Sequence, residues 1–290
     1  MENIFQMGCL IQLSTSVWGA RRKIKTEQIT NMTAANQWLS TQKKLIDPCA
    51  LKPIQKVANA ARGYLSGVSL PFPINGMVFV PKEMISKVDD QLNIFQSDFN
   101  DKVAEFMDRY ERLRETAMVY LGDLFNETDY PVDIAGKFSF AWRFINLNVP
   151  NGKTGVLSPE VYEREKQKFV QTMEDARELA VMSMREEFSG MIQRITDRFT
   201  NGGNTKPKVF KNSTINNFYA FFETFKARNI FNDQELTELV DRARAVLGGQ
   251  NAAAIRSNNQ LKEQIRDGMT EVENAMDEML KRPRRKIVMN

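Results

Sequence analysis

The sequence predicts an α+β chain, predominantly α, in which a long antiparallel helical hairpin or bundle carries a small β-sheet supplied by the amino-terminal half. Three observations lead there. Two very long apolar stripes recur at helical spacing, and short alternating or β-branched runs are confined to residues 1–147. The composition, 42% hydrophobic and 26% charged, is that of an ordinary globular protein rather than of a disordered chain.

The strands come first. Residues 9–18 place Cys9, Ile11, Leu13, Thr15 and Val17 on one face and Gln12, Ser14 and Ser16 on the other, the alternation of a half-buried strand. A basic turn, Gly19-Ala20-Arg21-Arg22-Lys23, follows it. Helical pieces are expected between 25 and 68, broken at Asp47-Pro48 and Lys52-Pro53, before a loop over Pro71–Gly76. Met77–Val80 reads as a second strand, with Pro81 as the first residue of the helix that follows. Residues 138–147 read as a third, with Phe138, Phe140, Trp142 and Phe144 on one face.

From Lys82 to about Phe125 apolar residues recur at Ile85, Val88, Leu92, Phe95, Phe99, Val103, Phe106, Tyr110, Leu113, Ala117, Tyr120 and Leu124 without a proline. The spacing predicts one unbroken helix of about 65 Å. Ser158 as N-cap and Pro159 at the first position open a second, with its stripe at Tyr162, Phe169, Met173, Ala176, Ala180, Met184, Phe188, Met191, Ile195 and Phe199. Because the two stripes are of similar length and separated by a short connector, 82–125 is expected to pack on 159–199. The loop Asn201-Gly-Gly-Asn204 ends the second helix, and shorter helices are expected near 213–247 and 253–281, parted by Gly248-Gly249. The resulting organisation is 1–81 as an amino-terminal α/β part, 82–200 as the helical hairpin with its intervening strand, 205–281 as carboxy-terminal helices, and 282–290 as a basic and apolar tail.

The absence of histidine is the most informative compositional fact: it removes histidine-dependent triads and His/Cys zinc sites. Cys9 and Cys49 have no metal-ligand spacing and read as two reduced thiols. The 40 basic and 36 acidic residues are mixed along the chain rather than gathered into one field, the last ten residues excepted. The amino terminus lacks the basic region of a signal peptide, and no window approaches the ~18 consecutive apolar residues of a spanning helix. These features point to a cytoplasmic, non-enzymatic protein without cofactor, metal or membrane association.

Each suggestive motif has a plainer reading. Asn151-Gly-Lys-Thr154 ends like a phosphate-binding loop, but Leu147 stands where the first glycine belongs, so an exposed turn is expected. Residues Gly136–Phe144 partly match an aromatic RNA-binding strand, yet four rings on one face more simply pack a sheet onto helices. Met173, Met182, Met184, Met191, Met269, Met276 and Met279 suit core filling first and an oligomer interface second. Acid pairs such as Glu174/Asp175 and Glu186/Glu187 alternate with bases as on a solvated helix face.

Leu13–Ile24, the run Asp47-Pro-Cys-Ala-Leu-Lys-Pro53, and the Met77-Val-Phe-Val-Pro81 entry into a helix reaching Asp108-Arg109-Tyr110 together resemble a bacterial and phage family, domain of unknown function 3150, over about the first 125 residues. The resemblance implies a gene neighbourhood with a MoxR-type AAA+ ATPase and a von Willebrand factor A protein, hence a third component of an ATP-driven machine. It supplies no catalytic residues.

The reading is therefore an assembly subunit that forms homo-oligomers through its long helices. Its contact residues are Arg21, Arg22, Lys23, Lys281, Arg282, Arg284, Arg285 and Lys286 for a partner or nucleic acid, and Ile287, Val288 and Met289 for an oligomer interface. The alternative, less favoured, is a nucleic-acid-binding accessory of a mobile element.

Overall fold

The computed structural model describes residues 4–24, 41–147, 158–199 and 212–281. Within them the chain is α+β and mostly helical, as its periodicities predict. Its strands are β1 (Gly8–Ser16), β2 (Arg21–Lys23), β3 (Gln42–Lys44), β4 (Leu70–Pro71), β5 (Val78–Pro81) and β6 (Ser139–Ile145). Its helices are α1 (Lys52–Val68), α2 (Ile85–Met107), α3 (Tyr110–Leu121), α4 (Pro159–Phe199), α5 (Asn212–Arg228), α6 (Gln234–Leu247), α7 (Ala252–Ser257) and α8 (Asn259–Lys281). Four strands form one sheet in the order β4-β5-β1-β6, and β2 pairs with β3 in a separate ribbon.

The chain forms two compact units that interleave along the sequence. One comprises Met1–Leu10, Ser66–Ile85 and Ile145–Asn290, the other Ile11–Leu65 and Ser86–Phe144.

In the first unit α4 packs on α8, α5 and β4, and α6 also packs on α8. The expected pairing of 82–125 with 159–199 is therefore corrected: α4 finds its partner in α8. An amphipathic stripe states that a helix must be covered, not by which helix. Ser158 caps α4 as expected, its Oγ accepting from Val161 N–H at 3.4 Å. Ala176, Ala180, Met184, Phe188, Ile192 and Ile195 of α4 share one buried cluster with Ile265, Met269, Val272 and Met276 of α8. All the methionines named above except Met182 are buried, so core filling holds for them. Gly268 lets α8 approach α6, since a Cβ there would lie 2.7 Å from a Val246 methyl carbon.

The single helix expected over 213–247 is two. Asn229–Asp233 break it: Asp233 N–H donates to Asn229 Oδ1 (2.8 Å), Asn229 Nδ2 reaches Thr237 Oγ1 (3.0 Å), and Asp233 accepts from Leu236 N–H (3.2 Å) as the cap of α6. Arg185 of α4 closes the network with two bonds to Asp233, at 2.6 and 2.9 Å, which raise the guanidinium pKa further. Helix α6 then closes on Gly248 in the left-handed region.

In the second unit α2 is covered by the aromatic strand β6. Phe99 meets Phe140 (5.6 Å between ring centres) and Phe106 meets Phe138 (5.4 Å), while Trp142 Nε1–H donates to Asp89 (2.8 Å) and Gln96 Nε2 to the Phe140 carbonyl (2.8 Å). Three of the four rings thus pack on helix as the plainer reading expects, and Phe144 alone is exposed.

The unbroken helix over 82–125 is corrected too. It stops at Met107 and restarts at Tyr110. At the break Arg109 N–H bonds back to Phe106 O (3.1 Å), and the Arg109 side chain takes the Glu105 carbonyl at 3.0 Å, so one turn tightens and the apolar stripe survives the interruption. Tyr120, placed in that stripe by spacing, is 86% exposed.

Smaller corrections concern prolines. Lys52-Pro53 begins α1 rather than breaking a helix, after Asp47 accepts from Cys49 N–H at 2.8 Å, and Pro81 ends β5 in extended conformation before a short 3-10 turn. The Gly-Lys-Thr turn, the loop Asn201–Asn204 and the tail 282–290 lie outside the described residues.

Candidate interaction surfaces

The expected basic turn at Arg21–Lys23 is a strand. It pairs antiparallel with β3 in the register Arg21↔Lys44, Arg22↔Lys43 and Lys23↔Gln42. The pairing brings five cations onto a ribbon three residues long. Sequence reasoning found Arg21, Arg22 and Lys23 and missed Gln42, Lys43 and Lys44, although a Gln-Lys-Lys run just before the apolar Leu45-Ile46 was the available signal.

A bracket formed by residues 122–130 after α3 holds the ribbon. Asp129 takes Lys43 Nζ at 2.6 Å and Arg22 Nε at 3.3 Å, and Lys43, with its side chain 10% exposed, also donates to the Leu124 carbonyl. Just past β3, Tyr130 donates its hydroxyl to the buried Leu45 carbonyl at 2.6 Å. Burial, with Tyr110 and Asp129 nearby, pushes the Tyr130 phenol above its ordinary pKa, which keeps the donor protonated. Arg114 of α3 lies 5.9 Å above the Tyr130 ring and pairs with Glu111 and Glu127.

Each unit also carries one apolar candidate surface. Met118, Val119 and Tyr120 are exposed together at the end of α3, because its buried side is already filled by Tyr110 and Ala117. In the other unit, no residue of α4 from Pro159 to Thr172 is fully buried, although Tyr162 and Phe169 continue the stripe that is buried from Met173 onward.

Among the described residues no cluster of three or more metal-ligating side chains occurs. Nor is any helix among them long and apolar enough to cross a membrane.

A family model described as "Protein of unknown function (DUF3150)" matches residues 6–200. The chain belongs to this family. The match runs beyond the first 125 residues, through the whole of α4, so the ribbon, its bracket and the half-buried start of α4 all lie within the DUF3150 span. Lys281, the exposed last residue of α8, lies outside that span and in the other unit from the ribbon. The further predicted contacts Arg282, Arg284, Arg285, Lys286, Ile287, Val288 and Met289 are not among the described residues. No curated protein and no solved structure matches the chain.

Proposed function

We propose that the chain is a non-enzymatic, cytoplasmic assembly subunit of a phage or mobile-element system, that it self-associates through α4, and that it works with a MoxR-type AAA+ ATPase and a von Willebrand factor A protein. The observation that supports this is the start of α4. Residues 159–172 extend about 21 Å, a length fixed by helical rise, without one fully buried side chain. An apolar stripe whose first turns are only half-buried on its own core is suited to a second helix. The occupant is a second copy of this chain, because Glu163, Arg164, Glu165, Lys166 and Lys168 flank Tyr162 and Phe169 with both signs of charge, so two copies laid antiparallel complement each other.

The exposed Met118, Val119 and Tyr120 offer the apolar contact that docking on the ATPase requires. Light scattering of Tyr162→Asp beside the wild type tests the self-association. The expected result is a smaller particle with unchanged helicity, and an unchanged mass contradicts the role given to α4. Co-purification with a MoxR-type ATPase of the same system tests the partner: a complex weakened by Tyr120→Asp is expected, and no complex removes the ATPase from the proposal.

A further inference from the structure

We infer that the outer face of the β2–β3 ribbon binds the phosphate backbone of B-form duplex DNA, with Arg21, Lys23 and Lys44 as the phosphate contacts. This goes beyond the assembly reading and does not depend on it.

Side chains alternate across a strand, so the register sorts the ribbon into two faces. Arg22 and Lys43 share one face, Arg21, Lys23, Gln42 and Lys44 the other. Each face carries a pair of like charges directly opposite one another, Arg22/Lys43 and Arg21/Lys44, an arrangement that destabilises a ribbon when uncompensated. The inner pair has its counter-charge built into the fold, since Asp129 binds both cations. For the outer pair the described residues supply none: Arg21, Lys23 and Lys44 are exposed, and no ion pair is made to any of them. One face is neutralised from within, and among the described residues the other has no counter-charge, which suits it to an external anion.

The shape narrows that anion. A two-stranded ribbon fits the B-DNA major groove, which is about 12 Å wide, and Arg, Lys and Gln donate to the phosphates that wall it. The major groove of duplex RNA is too narrow to admit it. Single strands are held largely by stacking on rings, and this face has no ring. It has no apolar residue for a membrane interface either.

The test is fluorescence anisotropy of the full chain with a labelled duplex, against salt. Three phosphate contacts predict a log–log slope of roughly −2.7, which is a loss of about 40-fold between about 50 and 200 mM salt. Arg21→Ala/Lys23→Ala/Lys44→Ala should abolish most binding at the lower salt. Lys52→Ala/Lys56→Ala/Lys87→Ala, which removes the same charge from other exposed positions, should leave most of it. Circular dichroism and thermal melting of both triple variants confirm that each is folded.

Absence of wild-type binding at the lower salt overturns the inference, as does equal loss in the two variants. Loss on deleting 282–290, with the ribbon variant unaffected, overturns it in favour of the tail. Equal or tighter binding of single-stranded DNA, duplex RNA, polyglutamate or anionic vesicles overturns the choice of duplex DNA. None of these outcomes bears on the particle mass of the wild-type chain, on which the assembly reading rests, so the two can fail separately.

Discussion

Arg228 gives the sharpest test of how the first unit is held together. It ends α5 with its side chain only 2% exposed, donates twice to the Glu187 carboxylate of α4, and lies 5.8 Å from the Phe221 ring centre. Its Nε–H has no acceptor among the described residues. Glu187→Gln keeps the shape of the contact but leaves a buried cation without its counter-charge, a change that costs about 3–5 kcal/mol when both partners are buried. Glu187 is 35% exposed, so water replaces part of the lost interaction, and about 2–3 kcal/mol is the appropriate figure. Arg228→Met removes the buried charge and the unpartnered donor together and returns Glu187 to water, so it should cost less, about 1 kcal/mol or nothing. Urea denaturation followed by circular dichroism measures both: Glu187→Gln should lower the midpoint more, with slopes unchanged. If Arg228→Met proves the more damaging, the pair is a net source of stability and the argument from buried charge is wrong.

Three further outcomes follow from the same packing. Phe106→Ala should cost roughly 3–5 kcal/mol, because the ring is fully buried between Tyr110 and Phe138, whereas Tyr120→Ala should stay within about 0.5 kcal/mol; thermal melts compare them. Thiol titration at mildly alkaline pH should modify exposed Cys49 first, because burial raises the Cys9 pKa and leaves it protonated where an ordinary thiol has begun to ionise; equal rates in the native protein contradict the burial of β1. Deleting residues 282–290 should leave the melting temperature unchanged, since the buried stripe of α8 ends at Met279, while reducing assembly; a truncated chain that fails to fold places the tail in the core.

What the sequence made legible is what local periodicity encodes. Strands β1, β5 and β6, the capped start of α4 and the rings covering α2 follow from alternation, capping and 3.6-residue spacing. The break between α5 and α6 was hidden because Ile230 and Phe231 keep the run apolar while the polar closure comes partly from Arg185, more than forty residues away. The stripe through Asp108-Arg109 likewise stays in phase across a tightened turn. The choice of α8 as partner for α4 is a tertiary fact with no local signature. At the candidate surface, half of the ribbon was visible as a basic run. The other half was not, because Gln42-Lys43-Lys44 has neither alternation nor β-branching and is fixed by Asp129, a residue distant in sequence.

The mass of the native particle tests the central claim most directly. Sedimentation equilibrium of the full chain up to about 100 μM, where even weak self-association is populated, should give a multiple of the 33.3 kDa chain mass. A particle of 33.3 kDa across that whole range contradicts an assembly subunit built on α4.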